Sequence, residues 1–256
     1  MIIVPKTLVW NWHKEIKKAF PKYNVAVLGE RLVIRGGSTV TSKNNNERRG
    51  QVWLDFKTGL YDVLIMTYND IETTKLSKKW FDRYTSEQID KILVDAPADL
   101  SVKKLEELRN KVGSKIYDMF DIGNRTYDLG LDAFSDVGID FMMIDEAQNF
   151  KNLYEPTPPF SEAVQYLGIG KAAKRSYHLD VRCQIVREEK NGAIVLLSAT
   201  PAKNSPLEFY NLIQYTKPEA FRGIPSASAF LERFIRVEAR RIPDTTLSTK
   251  MAPIVA

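Results

Sequence analysis

Five short stretches of this sequence are apolar almost from end to end: Met1–Val4 (MIIV), Asn24–Leu28 (NVAVL), Asp62–Thr67 (DVLIMT), Phe141–Ile144 (FMMI) and Ala193–Leu197 (AIVLL). Side chains alternate between the two faces of a strand, so a strand that is apolar at every position must be covered on both sides. Amphipathic segments lie between the stretches. In TLVWNWHKEIKKAF, residues Leu8, Trp12, Ile16 and Phe20 recur every four positions and lysines fill the opposite face, which predicts a helix ended by Pro21. Further helices are expected over residues 161–188 and 206–215. Buried strands alternating with helices define an α/β protein with a parallel sheet and helices on both faces. At 256 residues, 44% of them hydrophobic, the chain can bury a substantial core.

Two regions break the alternation. Residues 36–50 (GGSTVTSKNNNERRG) are polar, basic and glycine-bearing, which predicts a mobile loop. Residues 70–137 form a helical insert, in which Val102, Leu105, Leu108, Val112, Ile116 and Met119 step by three and four along one face. The tail from Pro243 is rich in proline and threonine and is expected to be loose. The organisation expected is a partial lobe over residues 1–242, with the tail 243–256 loose or beginning a linker.

Open parallel sheets collect their ligands at the carboxyl ends of the strands. Four of the apolar stretches end in polar groups: Pro5-Lys6-Thr7, Thr67-Tyr68-Asn69, Asp145-Glu146 and Ser198-Ala199-Thr200-Pro201. The acidic pair is the most informative. Two carboxylates at the end of a buried strand suit a nucleotide hydrolase, the first ordering the shell of a magnesium ion, the second accepting a proton from the attacking water. An acidic turn left in solvent is the plainer alternative, and only the neighbouring elements decide against it.

Those neighbours carry a resemblance. VPKTLVWNWHKEIKKAFP, DVLIMTYNDIE, FMMIDEAQNFKN and VLLSATPAKNSPLEFYNLIQYTKPEAF occur in the order and wording of the Swi/Snf-like branch of superfamily two helicases. The resemblance covers about residues 1–35, 60–72 and 139–222, and it is similar in flavour to phage and mobile-element methylase-helicase members. It implies the first RecA-like lobe of a P-loop NTPase-type motor, an ATP-dependent DNA helicase or translocase that uses ATP and Mg2+. It assigns Pro5, Lys6, Thr7, Thr67 and Tyr68 to the DNA backbone, and Asp145 (metal, through water), Glu146 and Gln148 to hydrolysis. Ser198, Ala199 and Thr200 would link the ATP state to the grip on DNA. Duplex DNA and a second motor lobe of the same full-length chain are the partners implied.

The sequence departs from that pattern at two points. Gln148 stands where many relatives carry histidine. A phosphate-binding loop, GxxxxGK[ST], occurs nowhere: Gly168-Ile-Gly170-Lys171-Ala172 lacks the first glycine, the hydroxyl residue and a preceding strand. The expectation is therefore a lobe without its phosphate-loop strand, belonging to a longer protein and nearly inactive by itself. A binding module that keeps the fold without hydrolysis is the other functional class.

The remaining features narrow the setting. The net charge of +5 is compatible with a polyanionic partner without requiring one. One cysteine, Cys183, excludes an internal disulfide framework, and no apolar run is long enough for a membrane span. A cytoplasmic location, or a nuclear one in a eukaryote, is expected. His13 and His178 have no companions at ligand spacing, and Trp10 and Trp12 are expected in packing rather than base stacking. Arg48-Arg49 and Lys171, Lys174 and Arg175 could meet phosphates or remain a solvated basic surface.

Overall fold

The computed structural model describes residues 1–35, 37–96, 98–120, 133–155, 171–240 and 252–255. The apolar stretches become β1 (Ile2–Val4), β2 (Val25–Val27), β5 (Val63–Thr67), β6 (Phe141–Ile144) and β7 (Ala193–Leu196). They assemble into a single sheet in the order β2-β5-β1-β6-β7, with every pairing parallel. This is the α/β architecture expected from the sequence, with helices on both faces.

Each strand divides its side chains between two cores. Ile2, Val4, Val27 and Ile65 pack with Val9 and Ile16 of α1 (Val9–Ala19). Ile3, Ala26, Leu28, Leu64, Met66, Met142 and Ile144 face the larger cluster on the other side. Truncating one of the fully buried members, such as Ile65, to alanine costs about 2–5 kcal/mol in comparable cores. The larger cluster is built by α2 (Asn46–Lys57), α3 (Tyr68–Thr73), α4 (Lys78–Leu93), α5 (Val102–Phe120), α6 (Lys174–Lys190), α7 (Leu207–Thr216) and α8 (Ala227–Phe234).

α6 is buried on all sides from Ser176 to Val186 apart from Gln184, although half of those residues are polar. Several of its polar groups are matched individually. Tyr84 of α4 donates to Asp180 at 2.8 Å, and Arg182 donates to the carbonyl and hydroxyl of Thr74 at 2.7 and 2.9 Å. The indole of Trp80 donates to Glu189 at 3.0 Å, and the Phe120 ring lies 4.8 Å from that of His178. Burial pushes the Asp180 carboxyl above its ordinary pKa, opposed by Lys91 and by the Tyr84 hydroxyl. The helix ends at Asn191 in the left-handed conformation (φ 49°). Gly192 then passes so close that a Cβ there would sit 2.6 Å from Val186 and 2.9 Å from the Asp140 carbonyl oxygen.

Three expectations change. Residues 36–50 are not a loop: β3 (Glu30–Arg35) and β4 (Ser38–Lys43) pair antiparallel as a hairpin, and α2 follows. Gly37 turns the hairpin at φ 77°, and Asn45 caps α2 by accepting from the Arg48 N–H. The apolar stripe of α5 is buried only at Ile116, with Val112 and Met119 half-buried against the core, while Val102 is 76% exposed. Within the tail, β9 (Ala252–Val255) pairs antiparallel with β8 (Val237–Arg240). The expected helix over 161–188 is seen as α6; its first part, and Gly168 and Gly170, lie outside the described residues. No helix among the described residues is long and apolar enough to cross a membrane.

Candidate active site

The carboxyl ends of β1, β5, β6 and β7 share one edge of the sheet, and the residues expected there after β6 and β7, with Tyr68, meet through a few hydrogen bonds. The acidic turn is locked to its neighbours by backbone. The Asp145 N–H donates to the Ile3 carbonyl (2.9 Å), and the Ala147 N–H donates to the Leu197 carbonyl (2.8 Å). Between them Glu146 adopts the left-handed conformation, φ 50° and ψ 49°, which costs a non-glycine residue on the order of 1 kcal/mol. Tyr68 holds the turn from below, its hydroxyl donating to the Asp145 carbonyl at 2.6 Å and its ring edge-on to Phe150 at 4.8 Å. Burial pushes the Tyr68 phenol up to about 12, so it is a permanent donor at neutral pH.

Both Asp145 oxygens have a donor but retain lone pairs. Oδ1 accepts the Glu146 N–H at 2.9 Å, and Oδ2 accepts the indole N–H of Trp12 at 2.7 Å. A second line of contacts joins this turn to the end of β7. Gln148 Nε2 donates to Glu146 Oε2 at 2.5 Å, the Ser198 hydroxyl donates to Gln148 Oε1 at 2.6 Å, and the Thr200 N–H donates to Ser198 Oγ at 3.2 Å. Gln148 can make both contacts because an amide carries a donor and an acceptor on one planar group. The loop just after Ser198-Ala199-Thr200 is anchored by Glu208 of α7, which accepts the Lys203 and Asn204 N–H groups at 2.6 and 3.3 Å. The same carboxylate pairs with Lys151 at 2.7 Å.

The β1 and β5 ends lie beside this centre and differ from each other. Lys6 is 65% exposed at its side chain, reaches Glu30 at only 3.8 Å, and is followed by exposed Thr7. Pro5 enters the short 3-10 turn Lys6–Leu8 in an extended conformation. Thr67 is the N-cap of α3 in a capping box with Asp70: its hydroxyl donates to Asp70 Oδ2 at 2.8 Å, and Asp70 is paired to Arg49 at 2.7 Å. The one hydroxyl hydrogen of Thr67 is thus committed within the protein, and Tyr68 points its hydroxyl at the acidic turn rather than outward.

Sequence reasoning placed Trp12 in packing alone. It packs against the α1-side core and also fixes Asp145, while Trp10 does the same for Glu30 (3.2 Å). A hydrogen-bonding ring on the helix that leaves β1's carboxyl end was the available signal. Glu208 carried none, because its Lys151 partner is brought close only by the fold, whereas Asp70 stands at capping-box spacing from Thr67.

A parallel α/β sheet with an acidic turn hydrogen-bonded to a Ser-Ala-Thr segment on the next strand is the frame of a helicase-type domain. The chain belongs to the family of probable helicase domains, whose model matches residues 1–240. Over 105 residues, 40% of this chain, it is 28% identical to the Defense against restriction protein B of Escherichia phage P1, and the match takes up 5% of that protein. The SWI2/SNF2 ATPase core of Sulfolobus solfataricus, solved in complex with dsDNA, aligns with 91% of this chain and 27% of its own, at 14% identity and a TM-score of 0.39. The chain spans only a small part of either protein.

Proposed function

We propose that this chain is part of the first motor lobe of an ATP-dependent DNA translocase or helicase. The observation that carries the proposal is the unbroken line from Glu146 through Gln148 and Ser198 to the Thr200 N–H. It gives the residue suited to accept a proton a direct mechanical link to the end of the next strand. Glu146 is the general base for the attacking water, and its Oε1 is left to face that water while Oε2 is oriented by Gln148. Ser198, Ala199 and Thr200 report the state of this base to the rest of the lobe.

The donor set suits Mg2+ held mainly by water and nucleotide phosphates, which needs one or two carboxylates rather than a protein cage. Asp145 keeps lone pairs on both oxygens, and no group of three acidic, imidazole or thiol side chains occurs among the described residues. When bound, the ion supplies charge neutralisation for the phosphates; Asp145 would hold it through water, oriented by Trp12. Lys6, with Pro5 and Thr7 shaping its turn, offers a charge to a DNA phosphate, while Thr67 and Tyr68 position the edge beside it.

In the full-length protein, Glu146→Gln should keep ATP binding and lower hydrolysis by about 100-fold or more, as loss of a positioned base does. Hydrolysis at the wild-type rate would remove Glu146 from that role. A full-length wild type that binds DNA without hydrolysing ATP would make the lobe a binding module.

A further inference from the structure

The β3–β4 hairpin has no part in the site above, and its shape needs an explanation. It leaves the carboxyl end of β2 as a two-stranded ribbon whose residues beyond Glu30 are exposed or half-buried on both faces, Ile34 at 79%. A lone two-stranded ribbon is marginal in water unless something holds it. Here the root is held firmly. The Asn44 side chain donates to the Leu28 and Glu30 carbonyls at 3.0 and 3.2 Å, and the Asn44 N–H donates to the Gly29 carbonyl at 3.0 Å. Gly29 lies so near the Thr67 cap that a Cβ there would stand 3.2 Å from Asp70 Oδ1. Glu30 takes both Lys6 (3.8 Å) and Trp10 (3.2 Å). The ribbon therefore projects from the same sheet edge as Lys6, rigidly rooted and otherwise uncovered.

Its charge is one-sided. Arg31 and Arg35 alternate with Val33 on one face of β3, and Arg31 shares a cleft of about 220 Å³ at the ribbon's foot with Arg48 of α2. None of these three arginines has a carboxylate within ion-pair distance among the described residues, whereas Arg49, next to Arg48 on α2, is paired to Asp70. Opposite Arg31 and Arg35 stand Ser42 and Ser38, small hydroxyl residues that leave the guanidinium groups unobstructed. Unpaired arginines on a rooted ribbon fit phosphate oxygens, and a two-stranded ribbon has the width to lie against a duplex groove.

We infer that the β3–β4 ribbon is a second contact to duplex DNA, with Arg31, Arg35 and Arg48 on phosphates of the backbone whose neighbouring stretch meets Lys6. This rests on the DNA reading proposed above. The contacts are to phosphate, so they position the protein and read no sequence.

The test uses the 256-residue chain and a duplex of arbitrary sequence, with affinity measured at several salt concentrations. Replacing both ribbon arginines (Arg31→Ala with Arg35→Ala) should flatten the slope of log affinity against log salt by about two units, one per lost phosphate contact. The charge-keeping pair Arg31→Lys with Arg35→Lys should restore most of that slope, which a folding defect would not. A slope equal to wild type in the alanine pair, with Lys6→Ala still flattening it, overturns the inference and leaves the motor-lobe reading intact. A wild-type chain with no salt-dependent affinity for duplex DNA overturns both.

Discussion

The indole N–H of Trp12 donates to Asp145 Oδ2 at 2.7 Å, joining residues 133 positions apart in the chain. Trp12 sits on the helix that leaves β1, and Asp145 on the turn that leaves β6, so one contact sets the acidic turn relative to the neighbouring strand's exit. Trp12→Phe keeps an aromatic ring, smaller than the indole, and removes the donor. Hydrogen bonds to charged groups contribute about 1.5–3 kcal/mol, and partial solvent access at this site puts the expected loss near the lower figure. Urea unfolding of the chain should show a lower midpoint at unchanged slope; an unchanged midpoint would mean that the carboxylate finds an equal donor in water.

Ser198→Ala cuts the line between Gln148 and Thr200 while leaving the backbone pairing of β6 and β7 in place. In the full-length protein the expected result is DNA-stimulated hydrolysis lowered about tenfold, the equivalent of one hydrogen bond of about 1.4 kcal/mol. Steady-state ATPase assays with and without duplex DNA measure it. A variant stimulated as strongly as wild type would detach Ser198 from coupling.

Glu208 makes acid stability testable. Burial pushes its pKa up, but Lys151 and the Lys203 and Asn204 N–H groups outweigh burial, and the carboxyl ends below its ordinary value. A carboxyl whose folded pKa is depressed contributes stability that is present above its unfolded pKa and is lost as pH falls through the folded one. Glu208→Gln should therefore destabilise the chain by about 1–3 kcal/mol at neutral pH, with the gap from wild type closing at acid pH. Thermal or urea unfolding across that range decides it; a gap independent of pH would assign the loss to packing.

Lys6→Ala should weaken binding to all duplex sequences equally and reduce the salt slope by about one unit. Its side chain is largely exposed and its only described carboxylate neighbour, Glu30, is 3.8 Å away, so the charge is available to a ligand. An unchanged slope would take Lys6 out of the interface.

The purified chain should turn over ATP more slowly than about 1 per second, the low end of ordinary enzyme rates, with or without DNA. No GxxxxGK[ST] segment occurs in its 256 residues to neutralise the phosphates. Faster turnover would show that other groups hold them.

The sheet was legible because its strands are buried on both faces, which writes an apolar residue at every position of FMMI and nearly every position of DVLIMT. The β3–β4 ribbon was not, for the opposite reason. With solvent on both faces, it has no hydrophobic alternation to display, and its serines and threonines read as loop. α6 was visible as a helix but not as a buried one, since Asp180 and Arg182 are satisfied by Tyr84 and Thr74, groups far away in sequence. The residues of the candidate site were legible as types at strand ends. Their division of labour was only partly so: the Thr67-x-x-Asp70 spacing is that of a capping box, but nothing local says that Tyr68 turns inward to Asp145.

The matched polar groups of α6 also say where this domain can and cannot be cut. Tyr84, Trp80 and Phe120 come from the region that interrupts the strand-helix alternation, yet they supply the partners of Asp180, Glu189 and His178 on the helix behind the sheet. Excising residues 70–137 would return the chain to a simpler alternation and leave a carboxylate stranded in an apolar interior, at a cost of several kcal/mol. What reads as an optional passenger in the sequence is a structural dependency: the helices and the lobe they interrupt can only be inherited, expressed or transplanted together.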